Sequence, residues 1–284
     1  MKRIVIIPNV NKDEGMAVTG RLVSLLLSHG ARLYIDNRYF NENISGVNYY
    51  SEFPSDAEAI VVVGGDGSML DASVFAIEKD IPIVGVNLGR VGYLSEIEPS
   101  DIEILSGLVT DKYAVKEEML LSVEYSGAKE SIRAERLAVN DVAVSHDSFF
   151  GISKFSLYTK NGECMKYRAD GLLFSTRLGS TAYSLSAGGP ILGPDVRAIL
   201  VTPICSHSFF NRSVLFSEGE VMAVMNTGES HLNVSIDGRF FCRIEPGERI
   251  SVSRAEKKLK ILTFNTNNTF ATLFGKIKIM EDVK

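Results

Sequence analysis

The sequence predicts two domains: a doubly wound, Rossmann-like α/β domain at the N-terminus and a β-rich domain after it. Apolar runs with strand-like and helical spacing alternate over residues 1–95, which is typical of a parallel sheet with helices on its faces. Residues 60–70 run from an apolar strand through a glycine-rich loop into a helix. From residue 115, short strand-like runs recur between turn residues, which indicates a mainly β domain. We therefore place the domain boundary near residue 115.

Strands, helices and loops alternate in the predicted N-terminal domain. In chain order they are a strand over residues 2–8, a helix from Asn11 or Asp13 to about Leu27, a strand over 31–35, a loop with at most one short element over 36–56, a strand over 60–63, a helix to about Glu78, a strand over 81–86 and a short helix from Ser100 to about Val109. Gly30 stands where helix C-termini favour glycine, and Ser100 has capping-box spacing to Glu103.

The loop after the strand 60–63 has the sequence Gly64-Gly65-Asp66-Gly67-Ser68. Its glycines permit unusual backbone conformations and a close approach by a ligand. We expect Ser68 to cap the next helix, so that the first N–H groups of that helix face a ligand above the loop. Asp66 then lies at the carboxyl end of a strand, where open α/β sheets bind ligands. The alternative is a tight turn with a hydrogen-bonding aspartate.

The β-rich region contains one block that departs from strand-and-turn patterning. The predicted strands are 119–125, 142–144, 155–159, 172–175, 199–201, 221–225, 232–236, 250–252 and 259–263. Residues 176–190, between two of them, are rich in glycine and hydroxyl side chains, which offer hydrogen bonds to a ligand, although a serine-rich turn has the same composition. Asn140-Asp141, taken alone, indicates a turn before a strand, and His146 is placed in a loop.

Composition and charge argue against several functional classes. The net charge of −5 gives no basic excess for nucleic-acid phosphates, and no apolar run is long enough for a membrane-spanning helix. The N-terminus is predicted to be a first strand and not a signal peptide. Cys164, Cys205 and Cys242 are widely spaced, and neither they nor the histidines show metal-ligand spacing. We therefore expect no transition-metal site and a reducing, cytoplasmic location.

An aspartate among phosphate-binding glycines predicts phosphoryl transfer to a hydroxyl group. Glycine loops suit phosphates because backbone N–H groups can converge on the phosphate oxygens. Asp66 would repel a phosphate unless it has a specific task. Two tasks fit: accepting the proton of an attacking hydroxyl, or orienting a phosphate-bound magnesium ion.

Three motifs together resemble those of the bacterial NAD kinases. They are Gly64-Gly65-Asp66-Gly67-Ser68, Asn140-Asp141, and the block that runs from Asp170-Gly171 through Gly179-Ser180-Thr181-Ala182-Tyr183-Ser184-Leu185-Ser186 to Pro190. The first motif also resembles loops of diacylglycerol kinases, sphingosine kinases and phosphofructokinases, whereas the long block is specific. The resemblance extends to Thr272-Leu273-Phe274. It implies the NAD kinase/diacylglycerol kinase-like fold, with an α/β domain over residues 1–115 that about 264–284 complete, and a β-rich NAD-binding domain over 116–263.

The resemblance also implies the reaction and its participants. ATP, or polyphosphate in some members, phosphorylates the 2′-hydroxyl of the adenosine ribose of NAD and gives NADP. Asp66 is the implied general base with Gly67 beside it, Mg²⁺ arrives with ATP, and the family forms homodimers or homotetramers. The implied dinucleotide-binding residues are Asn140 and Asp141, then Arg168 and Asp170 at the nicotinamide end, and Thr181, Ala182, Tyr183, Ser184, Leu185 and Ser186 at the adenine and ribose.

Some positions depart from the family pattern. Arg177 and Leu178 replace a proline and a hydroxyl residue, and we expect this change to tune the preference for the phosphate donor. Asp141 stands where many members have glutamate, and Arg239 where glutamine is frequent. Two other functions stay open: a lipid or sugar kinase of the same superfamily, and a non-catalytic sensor of NAD or NADP. An intact Asp66 disfavours the sensor, because a pure binder needs no carboxylate beside phosphates.

Overall fold

The computed structural model describes residues 1–89, 92–126, 133–146 and 152–264, and the chain divides into two compact units. The first unit comprises Met1–Glu118 and the described residues from Leu259 onward, and the second comprises Met119–Lys258. The implied return of residues 265–284 to the first domain lies outside the described residues. None of the described helices is long and apolar enough to cross a membrane.

The first unit alternates strands and helices, as predicted. Its elements are β1 (Arg3–Pro8), a 3-10 turn (Glu14–Met16), α1 (Ala17–Ser28), β2 (Arg32–Asp36), a 3-10 turn (Asn37–Tyr39), β3 (Asn48–Tyr50), β4 (Ala59–Gly64), α2 (Asp66–Lys79), β5 (Ile83–Asn87) and a 3-10 helix (Pro99–Leu108). The segment 36–56 contains two short elements and not one: the 3-10 turn and β3. β3 forms because it pairs with β2. Ser100 does not cap its helix, which begins at Pro99 after Glu98.

The strands of the first unit place two loops at one point of the sheet. The strand order is β5-β4-β1-β2-β3, and all neighbours are parallel. The order reverses between β1 and β4, and ligands bind at such a switch point in doubly wound sheets. Asn9 follows β1 and Gly65 follows β4, and Asn9 N–H donates to the Val63 carbonyl at 2.8 Å. The prediction of a doubly wound α/β domain is confirmed.

Strands dominate the chain from residue 114 onward, as predicted. The elements are β6 (Ala114–Ser126), β7 (Arg133–Ala138), β8 (Asp141–His146), β9 (Ser153–Thr159), β10 (Gly162–Ala169), β11 (Gly171–Ser175), a 3-10 turn (Leu178–Thr181), α3 (Tyr183–Ser186), β12 (Ala198–Ile204), β13 (Val214–Ser217), β14 (Met222–Asn226), β15 (Leu232–Ile236), β16 (Arg239–Ile244) and β17 (Arg249–Thr263). The two strands predicted over 250–252 and 259–263 are one, β17.

Two antiparallel sheets enclose the core of the second unit. One has the order β13-β12-β11-β8-β15-β16, and the other contains β10-β9-β14 and the first part of β17. The core takes its largest buried side chains, Phe155, Tyr167 and Phe174, from both sheets. β8 and β11 lie at the centre of the first sheet, where Asp141 pairs with Ser175 and Ser145 with Gly171. These two strands position the predicted dinucleotide-binding residues.

Candidate active site

Gly64 and Gly65 are required for close packing and not for a left-handed backbone. A Cβ on Gly64 would lie 2.6 Å from the Ser68 hydroxyl oxygen, and a Cβ on Gly65 would lie 3.0 Å from Lys12 Nζ. Neither residue, nor Gly67, has a positive φ, so the expectation of unusual backbone conformations is wrong. A Cβ on Gly67 would meet no atom of the described residues within 4 Å. The loop therefore has open space above Gly67.

Asp66 occupies the first turn of α2. Gly65 takes the N-cap position, so the predicted capping role of Ser68 is wrong. The Ser68 hydroxyl instead accepts a hydrogen bond from the Asn9 side-chain amide at 2.8 Å, which joins the loop after β4 to the loop after β1. Asp66 is partly buried and lies where the helix dipole favours negative charge.

The Asp66 carboxylate accepts three backbone hydrogen bonds from the segment after β5. Tyr93 N–H donates to Oδ2 at 2.9 Å, and Leu94 and Ser95 N–H groups donate to Oδ1 at 3.0 and 3.3 Å. These bonds fix the orientation of both oxygens. Among the described residues Oδ2 accepts a single N–H, so it can accept a further hydrogen bond.

The segment that holds Asp66 is itself tightly packed. The Asn87 side chain accepts the Gly89 N–H at 2.9 Å and donates to Glu98 Oε1 at 3.1 Å. A Cβ on Gly92 would collide with the Ser95 carbonyl oxygen and lie 2.8 Å from Asn87 Cγ. Gly92 is therefore needed where the backbone turns toward Asp66.

Lys12 lies at the glycine loop, and the sequence did not single it out. It belongs to the loop after β1, it is exposed, and its amino group lies over Gly65. A lysine ammonium is a point charge that suits phosphate oxygens. The available signal in the sequence is the position of Lys12 in the loop directly after β1, the strand at the switch point.

In the second unit, the structure brings Asn140 and Asp141 against the glycine- and hydroxyl-rich block. Thr176 N–H donates to the Asn140 carbonyl at 2.9 Å, and the Thr176 hydroxyl donates to the Val139 carbonyl at 2.7 Å. A Cβ on Gly179 would collide with the Asn140 carbonyl oxygen. Two motifs that lie far apart in sequence thus form one cluster.

Asp141 is the most perturbed acid of this cluster. Its side chain is buried at the start of β8, where the Asp237 carboxylate acts on it electrostatically. Burial, with a smaller contribution from Asp237, raises the pKa of the Asp141 carboxyl to about 7. Near neutral pH Asp141 can therefore either donate or accept a hydrogen bond.

The residues from Thr181 to Ser186 differ in their exposure. Ser184 is buried, and its hydroxyl is hydrogen-bonded to that of Thr202 at 3.0 Å, so this hydroxyl supports the fold. Tyr183 has 47% of its surface exposed and can contact a ligand. The Thr181 hydroxyl donates to the Leu178 carbonyl at 2.9 Å.

Arg168 and Asp170 lie at the opposite end of β8 and β11 from Asn140. Asp141 pairs with Ser175 and Ser145 with Gly171, and four residue steps along a strand span about 13 Å. Asp170 Oδ1 is 3.7 Å from Nε2 of His146, which ends β8 and does not lie in the predicted loop. The predicted residues therefore form two groups separated along the strands, a spacing that suits an elongated ligand.

The two halves of the chain match two family models. Residues 4–113 match the model of the ATP-NAD kinase N-terminal domain, and residues 139–264 match that of the ATP-NAD kinase C-terminal domain. The NAD kinase of Lachnospira eligens is 36% identical, over 90% of this chain and 93% of its own length. That of Acetivibrio thermocellus is 35% identical, over 98% and 97% of the two chains.

Two crystal structures share the fold. Yeast NADH kinase in complex with NADH gives a TM-score of 0.85 at 19% identity, over 98% of this chain and 88% of the yeast chain. An NAD kinase from Archaeoglobus fulgidus in complex with ATP gives a TM-score of 0.74 at 23% identity, over 98% and 99% of the two chains.

Proposed function

The chain belongs to the NAD kinase family, and from this premise we propose that it transfers the terminal phosphoryl group of ATP to the 2′-hydroxyl of the adenosine ribose of NAD. The ribose oxygen forms a bond to the γ-phosphorus, the bond from that phosphorus to the β-phosphate oxygen breaks, and the products are NADP and ADP. The chain is thus a phosphotransferase with an alcohol group as acceptor.

The observation that supports this proposal most strongly is the placement of Asp66 at the switch point of the sheet. Among the described residues its Oδ2 accepts one N–H, and backbone N–H groups hold both oxygens. A ribose hydroxyl has a pKa far above 7, so a carboxylate accepts its proton only as the bond to phosphorus forms. Most of the rate enhancement then comes from positioning and from neutralising charge.

Two cations neutralise the phosphates in this proposal. Lys12 is the cation that this chain supplies beside Gly65. The described residues contain no group of three or more His, Cys, Asp and Glu side chains that could hold a metal ion. Mg²⁺ commonly binds largely through substrate phosphates and keeps several waters, so it needs no dedicated cage of protein ligands. Magnesium carried with ATP would supply charge neutralisation at the β- and γ-phosphates.

We assign NAD binding to the second unit. Asn140, Asp141 and the exposed Tyr183 contact one end of the dinucleotide, and Arg168 and Asp170 contact the nicotinamide end. The separation of the two groups by about 13 Å along β8 supports this assignment, because NAD is an elongated molecule. Gly67, Thr181, Ala182, Leu185 and Ser186 remain predicted ligand contacts, as does a homodimer or homotetramer. Free thiols at all three cysteines support a cytoplasmic location.

The test is the formation of NADP from NAD and Mg-ATP by the purified protein. Chromatographic separation of the nucleotides measures NADP directly, and NADH, diacylglycerol and fructose 6-phosphate serve as rival acceptors. We expect NADP to form and neither the lipid nor the sugar to be phosphorylated. Phosphorylation of the lipid or the sugar without NADP formation would contradict the proposal.

A further inference from the structure

Asp237 makes an unusual set of contacts for a residue in a hairpin turn. It lies with Gly238 between β15 and β16, and both residues have positive φ, 49° and 76°. Its carboxylate accepts the backbone N–H groups of Val139 at 2.8 Å, Asn140 at 2.7 Å and Asp141 at 3.1 Å. Its own N–H donates to the Asp141 carbonyl at 2.9 Å.

Thr176 donates two further hydrogen bonds to the backbone of the same turn. Its N–H and hydroxyl donate to the carbonyl groups of Asn140 and Val139. Together with Asp237, it therefore engages every backbone N–H and carbonyl group of Val139, Asn140 and Asp141. These hydrogen bonds restrain the backbone that carries the Asn140 and Asp141 side chains.

We propose that Asp237 is a positioning residue for the dinucleotide: its carboxylate fixes the backbone turn at Val139–Asp141, so that the Asn140 and Asp141 side chains are preorganised to bind NAD. This inference rests on the proposed function. A residue that orders a binding turn before the ligand arrives lowers the conformational entropy that binding must remove. Loss of the carboxylate therefore weakens NAD binding without touching the ATP-binding residues.

The hairpin itself does not require an aspartate at this position. A two-residue hairpin turn with positive φ at both positions favours Asn-Gly as well as Asp-Gly. Asp237→Asn thus preserves the turn and the size of the side chain. It replaces one of the two carboxylate oxygens by an N–H donor, which cannot accept the N–H groups of the Val139 turn. The substitution separates the positioning role from a role in the hairpin.

The experiment compares steady-state kinetics and amide hydrogen exchange in the full-length wild type, Asp237→Asn and Asp80→Asn. Asp80 is a matched control, because it also has a positive φ and its exposed carboxylate bonds the partly buried Lys260 in the first unit. We expect Asp237→Asn to raise the KM for NAD about tenfold or more and to change the KM for ATP by less than about twofold. The two KM values should differ in this way because only the NAD-binding turn loses its preorganisation. A peptide that contains residues 139–141 should exchange faster in this variant, and Asp80→Asn should match the wild type.

Three outcomes would overturn the proposal. They are an unchanged KM for NAD, an unchanged exchange rate at residues 139–141, and an equal rise of both KM values with faster exchange throughout the chain. A wild type that forms no NADP would contradict the proposed function instead, because the exchange comparison measures the restraint by Asp237 without any substrate.

Discussion

The backbone N–H of Leu94 donates to the carboxylate of Asp66 at 3.0 Å. The segment after β5 therefore holds the side chain of the first residue of α2. Tyr93 and Ser95 donate to the same carboxylate. The orientation of Asp66 therefore depends on backbone N–H groups of this short segment. Substitutions that displace this backbone should act on Asp66 although they leave its identity unchanged.

Gly92→Ala should lower kcat by about tenfold or more. The added Cβ collides with the Ser95 carbonyl oxygen, so the backbone that donates to Asp66 must move, and small misplacements of a catalytic group cost large factors in rate. Steady-state assays and thermal unfolding are the measurements. Gly20→Ala is the matched control, because its Cβ meets Ile44 at an ordinary 3.7 Å. Wild-type kcat in Gly92→Ala would show that this backbone does not position Asp66.

Lys12→Met should raise the KM for ATP about tenfold, which corresponds to about 1.4 kcal/mol, and leave the KM for NAD within about twofold. The reason is the loss of a positive charge over Gly65 while the length of the side chain is retained. Lys79→Met, at the end of α2 beside Glu78, removes a lysine charge from another part of the same unit and should change neither value. An effect of Lys12→Met on NAD and not on ATP would argue against a role at the phosphate donor.

Asp141→Asn should stabilise the ligand-free protein more at pH 8 than at pH 4.5. Burial raises the pKa of Asp141 to about 7 in the folded chain, from an ordinary value of 3.8. The folded state therefore binds more protons between these values, and wild-type stability falls as the pH rises through 7. Asparagine does not ionise, so this loss, of order 1–4 kcal/mol, disappears in the variant. The thermal unfolding midpoints of both proteins at pH 4.5 and pH 8 measure this change in stability. If the midpoint of the variant differed from that of the wild type by the same amount at both pH values, the raised pKa of Asp141 would be contradicted.

The double substitution Arg177→Pro, Leu178→Thr should change the relative kcat/KM for ATP, GTP and polyphosphate by about threefold or more, the scale of one exposed charge interaction. It removes a positive charge and adds a hydroxyl at the start of the 3-10 turn. Arg177 has a φ of −56°, which proline can adopt. Arg177→Lys, which keeps the charge, should retain the wild-type donor profile. Identical profiles in all three proteins would show that these positions do not tune donor preference.

The sequence predicted the glycine loop because several local demands coincide there. The fully buried, β-branched strand β4 leads into Gly64 and Gly65, where a Cβ would be crowded. The apolar run and the glycines lie within a few residues of each other, so a local pattern reveals them. The cap was misplaced by three residues because Gly65 can take the N-cap position without a side chain.

Strands with mostly exposed residues escaped prediction. β10 carries Glu163, Lys166 and Arg168, and most of its residues are not buried, so it shows little apolar alternation. β7 contains three charged residues, β13 has four residues, and one of the six residues of β16 is buried, so these strands are also weak signals. β-propensity reflects burial and cross-strand packing, which these segments obtain from neighbours distant in sequence.

The contacts that organise the site are mostly long-range and could not be predicted. Asp237 and Asn140 are 97 residues apart, and no local pattern pairs them. Lys12 reaches Gly65 through the parallel pairing of β1 with β4. The family resemblance identified the ligand-binding motifs. The structure shows which backbone groups hold the residues of those motifs in place.

The most direct test of the role of Asp66 is the comparison of kcat in wild type and Asp66→Asn, with NAD binding measured in the same preparations. The variant keeps the size of the side chain and loses the proton acceptor. We predict that kcat falls by about 10²-fold or more, the usual scale for loss of a general base, while the Kd for NAD changes little. Near-normal turnover in Asp66→Asn would contradict the assignment of Asp66 as the base at the ribose 2′-hydroxyl.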